Sequence, residues 1–213
     1  MAGYSDAVRL VWCPRVTREE RAAFEQQARD SGLKDFAIKT WRPNDPLEIS
    51  PERDEYFPIL YSTVASKRTA TFGVDLNSEP ARSDAIARAR DGDAVASAQN
   101  VTIRNAIGGL RNGFFAAIPA YRQGMPHSTI EDRRRNTLGM IIGAFQTQTI
   151  FDSILRHAKL PQEVDVYLYP SLSGPGALPV FTARLGRPRS AAGAEAKGGL
   201  GGVDVVVCPN KSG

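Results

Sequence analysis

The chain of 213 residues has only two cysteines and two histidines. Cys13 and Cys208 belong to no CxxC pair or other metal-ligand cluster, so the sequence predicts no metal site. A single disulfide between these two cysteines stays open for an oxidising compartment. His127 and His157 lie in no recognisable nucleophile motif, and the sequence therefore predicts no serine or cysteine catalysis.

Long apolar runs are also lacking. No segment reaches the roughly 18 apolar residues that cross a bilayer, and residues 1–4 open no signal peptide. As given, the chain is expected to be soluble. An extracytoplasmic domain separated from its flanking membrane helices would have the same features, so that alternative stays open.

Neither sign of charge dominates. The 27 basic and 23 acidic residues are interspersed and leave a net charge of +4, so no long cationic face is expected. The triplet Arg133, Arg134 and Arg135 lacks interleaved aromatic residues, which favours a solvated helix face over phosphate binding. The sequence therefore predicts no nucleic-acid partner.

What is present is a 42% hydrophobic chain in which strand and helix patterns alternate, typical of an α+β fold. Residues 6–16 are interpreted as an apolar helix end that Pro14 stops. The capping box from Thr17 to Glu20 then opens a helix that runs to Gly32. These segments together predict a helical N-terminal part.

Beyond residue 32 the apolar runs predict a series of strands: 36–41, 56–62, 69–76, 94–98, 101–104, 113–121, 138–145, 164–169, 178–185 and 203–207. A helix is predicted over 79–91 with Ser78 as its cap, and another begins near residue 150. A second capping box starts at Ser128. Gly108, Gly109 and Gly113 fail the context of a phosphate loop and predict a hairpin turn.

Acidic residues offer two candidates for function. Asp54 and Glu55 are adjacent at a strand entrance, so their side chains point to opposite faces and are interpreted as solvated loop groups. Asp75 interrupts the apolar run from Phe72 to Ser78, and a carboxylate there needs a hydrogen-bonding partner. That partner is either a bound ligand, or the amides of the helix start near Ser78 or an arginine, and the residues alone leave both open.

Six short segments, in order, resemble the CHASE domains, extracytoplasmic sensor modules of receptor histidine kinases and diguanylate cyclases. The segments are Pro14 to Val16 with Glu20 to Glu25, Asp54 to Tyr61, Gly73 to Ser78, Arg88 to Gly92, Pro119 to Tyr121 and Leu138 to Phe145. The resemblance implies a truncated stalk helix over 1–32, a membrane-distal PAS-like ligand-binding domain over 33–149 and a membrane-proximal PAS-like domain over 150–213, both with antiparallel sheets.

The resemblance also implies a ligand site in the distal domain. Asp75 matches the aspartate that holds the purine ring in the plant cytokinin receptors of this family, so an adenine-type ligand is implied. Ala96 and Ala117 match a pocket leucine and a pocket threonine; the first change enlarges the pocket and the second removes a polar contact. With Met140, expected beside Asp75 on the sheet, these are the four candidate ligand-binding residues.

The function that follows is an extracytoplasmic small-molecule-sensing domain of a transmembrane signalling receptor, without catalysis or a cofactor of its own. The resemblance places it in the periplasm, as part of an inner-membrane protein that is a homodimer at full length and meets the membrane only through flanking helices. The alternative is a structural or dimerisation module without a ligand. An enzyme would require His127 or His157 beside an acid and a nucleophile in one cleft.

Overall fold

The computed structural model describes residues 8–42, 46–63, 71–104 and 109–157, and four strands beyond them. The chain divides into two compact units, 1–145 and 146–213. Helices and mostly antiparallel sheets within the described residues confirm the α+β class. The PAS-like arrangement and the division at 32/33 and 149/150 stay predictions.

The first unit contains most of the described elements. They are, in chain order, β1 (Val8–Pro14), β2 (Val16–Thr17), α1 (Arg21–Asp30), β3 (Lys39–Thr40), β4 (Glu48–Ile49), β5 (Glu55–Tyr56), β6 (Tyr61–Ser62), β7 (Val74–Asp75), a 3₁₀ helix (Leu76–Ser78), α2 (Pro80–Gly92), β8 (Ala96–Arg104), β9 (Leu110–Tyr121), α3 (Ile130–Asn136) and β10 (Thr137–Gln146).

A five-stranded sheet in the order β6-β1-β10-β9-β8 forms the centre of this unit. Strand β1 runs antiparallel to β10, and β8 runs antiparallel to β9 with a bulge between Ala98 and Val101. Along β9 the side chains of Phe115 and Ala117 are buried whereas Ile118 is exposed, the period of two expected of a sheet with one covered face. The buried face carries the main hydrophobic core.

The opposite layer of that core consists of shorter pieces. Strand β3 pairs with β4 and, in parallel, with β7. Strand β2 pairs with β5, and their Val16 and Tyr56 belong to a second, smaller core. An isolated bridge between Pro58 and Asp75 joins the segment that follows β5 to β7. Helix α2 contributes Ala85, Ile86 and Ala89 to the main core, so the core is closed by β7 and α2 on this side.

The helix predicted for residues 6–16 is wrong, because these residues form β1 and pair with both β6 and β10. Val11 and Cys13 are buried while Leu10 is 46% exposed, which is the alternation of a strand. The apolar residues of this short segment fit both periods, and Pro14 ends a strand rather than a helix. The helix predicted from the Thr17 to Glu20 box is confirmed as α1, but it begins at Arg21 with Glu20 at its N-cap position and without a side-chain cap. The two bonds of the box, from Thr17 N–H to Glu20 and from Glu20 N–H to Thr17, close the turn before the helix.

Two further predicted caps also lie elsewhere. Helix α2 is confirmed, but Glu79 rather than Ser78 takes its N-cap position, and Pro80 begins the helix. The Ser78 hydroxyl instead donates to the carbonyl of Asp75 and accepts the N–H of Trp41. The cap of α3 is Thr129, which accepts from Asp132 N, one residue later than the box predicted at Ser128.

The predicted strand 69–76 is much shorter than expected, since 71–73 form a turn before β7. Gly73 has φ +80°, a conformation that L side chains rarely adopt, and a Cβ there would lie 2.1 Å from the Ala37 carbonyl oxygen. Residues 69–70 lie outside the described residues. The predicted strand 138–145 is confirmed as β10.

The second unit contains α4 (Thr147–His157), β11 (Val164–Pro170), β12 (Phe181–Arg184), β13 (Lys197–Leu200) and β14 (Val203–Pro209). Its strands form an antiparallel sheet in the order β12-β11-β14-β13. The strands predicted over 164–169, 178–185 and 203–207 are confirmed as β11, β12 and β14, while residues 178–180 and 185 lie outside the described residues. Strand β13 was not predicted, because its Gly-rich sequence gives no strand pattern.

Candidate functional site

A partly open cavity lies inside the first unit, and the empty space in it and at its mouth amounts to about 520 Å³, open solvent included. It is bounded by the buried face of the five-stranded sheet on one side and by β7, the 3₁₀ helix and α2 on the other. The lining residues are Arg9, Val11, Trp41, Ile59, Thr71, Val74, Leu76, Arg82, Val101, Ile103, Phe115, Ile142 and Ala144. Most of this wall is aliphatic or aromatic, which is typical of small-molecule sites.

The alternation of the sheet produces the apolar wall. Val11, Phe115 and Ile142 occupy inward positions on three neighbouring strands, and each is at most 5% exposed. On β10, Ala144 pairs with Arg9 of β1, and both line the cavity. The small alanine side chain leaves room at this end of the wall.

Arg82 is the most buried charged residue of the wall, at 7% exposure. Its Nη2 donates to the carbonyl of Thr102 at 2.5 Å, and its guanidinium carbon lies 5.3 Å from the centre of the Trp41 ring. Its Nε lies 3.2 Å from Oε2 of Glu79, one helical turn earlier. Burial lowers the pKa of Arg82, and the charge of Glu79 opposes that shift.

Two further polar groups line the cavity. Thr71 is 8% exposed, and its hydroxyl oxygen has no hydrogen-bond partner in the described part of the chain. Arg9 is half-buried, and burial lowers its pKa. The thirteen lining residues thus include two arginines and no acid.

Asp75 is fully buried and is not among the lining residues. Its Oδ1 accepts the N–H of Phe57 at 2.8 Å and the N–H of Asn77 at 3.0 Å, which caps the 3₁₀ helix. Its Oδ2 is buried without a hydrogen-bond partner among the described residues. Burial raises the pKa of Asp75, and the two backbone N–H donors oppose that shift. The helix-start contact weighed from the sequence is therefore made, and a ligand contact stays a prediction.

Ala96, Ala117 and Met140 are also buried, at 8%, 0% and 0% exposure, and none lines the cavity. Ala96 pairs directly with Ala117 across β8 and β9, and Met140 pairs with Cys13 across β10 and β1. These three residues belong to the same core cluster as most of the cavity wall. Their role as ligand contacts stays a prediction.

Sequence reasoning missed Arg82. A signal for it exists, because Arg82, Ala85, Ile86 and Ala89 recur at the i, i+3, i+4, i+7 spacing of one helix face, and all four are buried. An arginine that begins an otherwise apolar stripe is a candidate for a buried, functional cation.

The other candidates have structural roles. Arg133 donates to three backbone carbonyls, Arg134 pairs with Asp91, and Arg135 pairs with Asp132. His127 is exposed and stacks on Tyr121 at 4.9 Å between ring centres, while the side chain of His157 lies outside the described residues.

The adjacent acids differ in their surroundings. The Asp54 side chain is 95% exposed and pairs with Arg18. The interpretation of Glu55 as a solvated group is wrong, because its side chain is only 23% exposed and pairs at 2.7 Å with both Arg15 and Arg90.

Cys13 is a fully buried free thiol, and the side chain of Cys208, its partner in the disulfide left open by the sequence, lies outside the described residues. Burial raises the pKa of the Cys13 thiol. Within the described ranges, no three side chains of His, Cys, Asp or Glu come together as a metal site. In the same residues, no helix is both long enough and apolar enough to cross a membrane.

The fold and cavity define an α+β domain that encloses a mainly apolar space with a buried cation. Comparison with known proteins gives the family: the model described as "CHASE domain" matches residues 3–181. The chain belongs to the CHASE domain family. CHASE domains are extracellular sensor domains of receptors, so the matched region is a sensor region rather than a catalytic one.

Two similar curated proteins come from Oryza sativa subsp. japonica. The chain is 30% identical over 164 residues to "Probable histidine kinase 4", and the matched segment covers 75% of this chain and 14% of that protein. It is 24% identical over 161 residues to "Probable histidine kinase 6", and the matched segment covers 75% of this chain and 15% of that protein. The chain thus corresponds to about one seventh of the length of these relatives.

Proposed function

We propose that this chain is the small-molecule-sensing domain of a transmembrane signalling receptor and that it binds its ligand in the cavity of the first unit. The observation that carries the proposal is the cavity itself, because it adjoins the main core and has a mainly apolar wall with a few buried polar groups. Membership of a family of sensor domains supports it. Ligand binding would favour one of two domain arrangements and thereby bias an output domain.

The finer features of the proposal rest on the family and on the relatives. We place the domain in the periplasm, as part of a homodimeric inner-membrane receptor whose output domain is a histidine kinase or a diguanylate cyclase. The relatives named as histidine kinases support the first of these outputs. The PAS-like arrangement, with the ligand site in the distal domain, belongs to the same proposal. Asp75, Ala96, Ala117 and Met140 do not line the cavity, so their contribution to the site would be indirect, through the buried residues packed around its wall.

A cavity-filling variant with a matched control tests the proposal. The full 213-residue chain is titrated with adenine and N6-substituted adenines, and thermal unfolding is followed. A ligand at 100 times its dissociation constant is expected to add about 2.7 kcal/mol to the free energy of unfolding. Ala144→Leu narrows the cavity and should abolish that gain, whereas Ala116→Leu, outside the cavity on the other face of β9, should retain it.

If an adenine stabilised Ala144→Leu and Ala116→Leu equally, the ligand would bind outside the cavity and the proposal would be contradicted. The second candidate function, a structural or dimerisation module, is favoured by one observation, the use of Asp75 Oδ1 by two backbone amides. That candidate predicts no binding by any small molecule tested, together with a dimer that forms without one. Sedimentation of the unliganded chain measures the dimer.

A further inference from the structure

The charge of the cavity wall indicates the chemical class of the ligand. Two of the thirteen lining residues are arginines, and none is an acid. The remaining wall is apolar apart from the Thr71 hydroxyl and the Trp41 indole, and Glu79, which pairs with Arg82, is not one of the lining residues. In such surroundings a charge interacts far more strongly with an opposite charge than it does in water.

The contacts of Arg82 leave part of its guanidinium unused. Nη2 donates to the Thr102 carbonyl, and Nε approaches Glu79. The described residues offer no hydrogen-bond partner to Nη1. A guanidinium has five N–H donors arranged as a planar fork that fits a carboxylate, and the guanidinium carbon of Arg82 lies over the Trp41 ring at 5.3 Å from its centre. Arg82 therefore lines the cavity with Nη1 unused by the described residues.

The pairing with Glu79 is incomplete. Glu79 Oε2 lies 3.2 Å from Arg82 Nε, yet the geometry makes no hydrogen bond, and this buried oxygen has no other partner in the described ranges. The Glu79 side chain is 26% exposed, so this carboxylate can turn toward water. A second carboxylate entering the cavity could then take the free edge of the guanidinium.

We propose that the ligand of this cavity is an anion with an apolar body, a monocarboxylate, whose carboxylate binds Arg82 and whose body lies against the sheet. Thr71 supplies a hydroxyl donor from the same wall, and Arg9 adds positive charge at the end lined by Ala144. This inference rests on the proposed sensing function. It differs from the adenine-type ligand that the family resemblance implies, because adenine is uncharged at neutral pH.

Three probes of nearly equal shape test the charge: 4-phenylbutanoate, 4-phenylbutanamide and 4-phenylbutylamine. Their dissociation constants for the full chain are measured by isothermal titration calorimetry at pH 7.5. The carboxylate is expected to bind at least about tenfold more tightly than the amide, since charge-assisted hydrogen bonds are about twice as strong as neutral ones. The cationic amine is expected not to bind.

Variants separate binding by Arg82 from a purely structural role. Glu79→Gln removes the competing carboxylate and should tighten binding of 4-phenylbutanoate severalfold relative to the amide. Arg82→Gln should abolish the preference for the carboxylate. If Arg82→Gln fails to fold, two measurements still test the preference for a carboxylate. They are the effect of Glu79→Gln and the ratio of the dissociation constants of the carboxylate and the amide for the wild-type chain. A purely structural clasp between α2 and β8 would change the stability of the domain without producing any preference between the carboxylate and the amide.

The outcomes distinguish the two proposals. Equal binding of carboxylate and amide, weakened for both by Ala144→Leu, would overturn the anion inference and leave the sensing function standing. Binding of an adenine in the cavity with none of 4-phenylbutanoate would do the same. No binding of any adenine or phenylbutyl probe would overturn the anion inference and count against the sensing function as well. A carboxylate preference lost in Arg82→Gln would support both.

Discussion

Replacing Asp75 by alanine measures how far the first unit depends on one buried carboxylate. Oδ1 accepts the amides of Phe57 and Asn77 at 2.8 and 3.0 Å, and alanine leaves both without an acceptor. A buried donor without a partner costs about 1–3 kcal/mol. The Phe57 contact is buried, whereas the Asn77 contact is part-buried and open to replacement by water. Removing the carboxylate also removes the free-energy cost of burying it, and this offsets part of the loss. We therefore expect a net destabilisation of about 2 kcal/mol.

Urea unfolding followed by tryptophan fluorescence at pH 7 gives the free energy of unfolding for each variant. Asp75→Asn keeps an oxygen that can accept both amides, so its loss should be smaller than that of Asp75→Ala. Asp54→Ala is the matched control, because the Asp54 side chain is 95% exposed and such changes usually stay within about 0.5 kcal/mol. A loss below about 0.5 kcal/mol for Asp75→Ala would refute the reasoning.

The pH dependence of the asparagine variant provides an independent check. Burial raises the pKa of Asp75 in the folded protein. Wild type therefore loses stability as the pH rises from the unfolded value of about 3.9 through the raised folded value. Asparagine does not titrate, so the stability difference between wild type and Asp75→Asn should narrow over that window. A difference that widens with rising pH would contradict the raised pKa.

Three further predictions concern other parts of the first unit. Gly73→Ala should lower the free energy of unfolding in urea by at least about 2 kcal/mol, because it combines a φ of +80° with a Cβ 2.1 Å from the Ala37 carbonyl oxygen. The control Gly92→Ala, with open space around its Cβ, should be neutral or slightly stabilising. Glu55→Gln should cost about 1–3 kcal/mol at pH 7. Although burial opposes it, hydrogen bonds from Arg15 and Arg90 lower the pKa of Glu55, so the stability this carboxylate adds is present above about pH 4.3 and is lost as the pH falls through the lowered folded value. A pH-independent gap in urea unfolding would contradict this, and Glu52→Gln on the exposed surface is the control. In a Cys208→Ser variant, Cys13 should resist a thiol reagent until urea unfolds the chain, because the thiol is fully buried; rapid labelling of the folded protein would contradict its placement.

Longer elements with a clear period could be predicted from the sequence, and shorter ones could not. Strands β9 and β10 and helices α1 and α2 each span at least ten residues and were predicted within a few residues of their bounds. Strand β1 has only seven residues, so its apolar positions also fit part of a helix, and only pairing with β10 decides between them. Strands β3 and β7 have two residues each, because the turn at Gly73 and the parallel pairing of Lys39 with Val74 limit them. Such pairings are tertiary and leave no local pattern.

The same limit explains why the sequence indicates Asp75 as a candidate site residue and does not indicate Arg82. Both are single charged residues in apolar stretches, one at the period of a strand and the other at the period of a helix. A charge in a strand interrupts consecutive apolar residues, whereas Arg82 is separated from Ala85 and Ile86 by polar residues and becomes visible only on a helical projection. Asp75 uses one oxygen to accept two backbone amides of its own unit, while Arg82 lines the cavity and its Nη1 has no hydrogen-bond partner in the described part of the chain. An acid such as Asp75, if it contacted the ligand, would favour a ligand that donates hydrogen bonds. Arg82, a cation on the cavity wall, favours a ligand that accepts them. Because the cavity contains the cation and not the acid, its chemistry favours an accepting, anionic ligand.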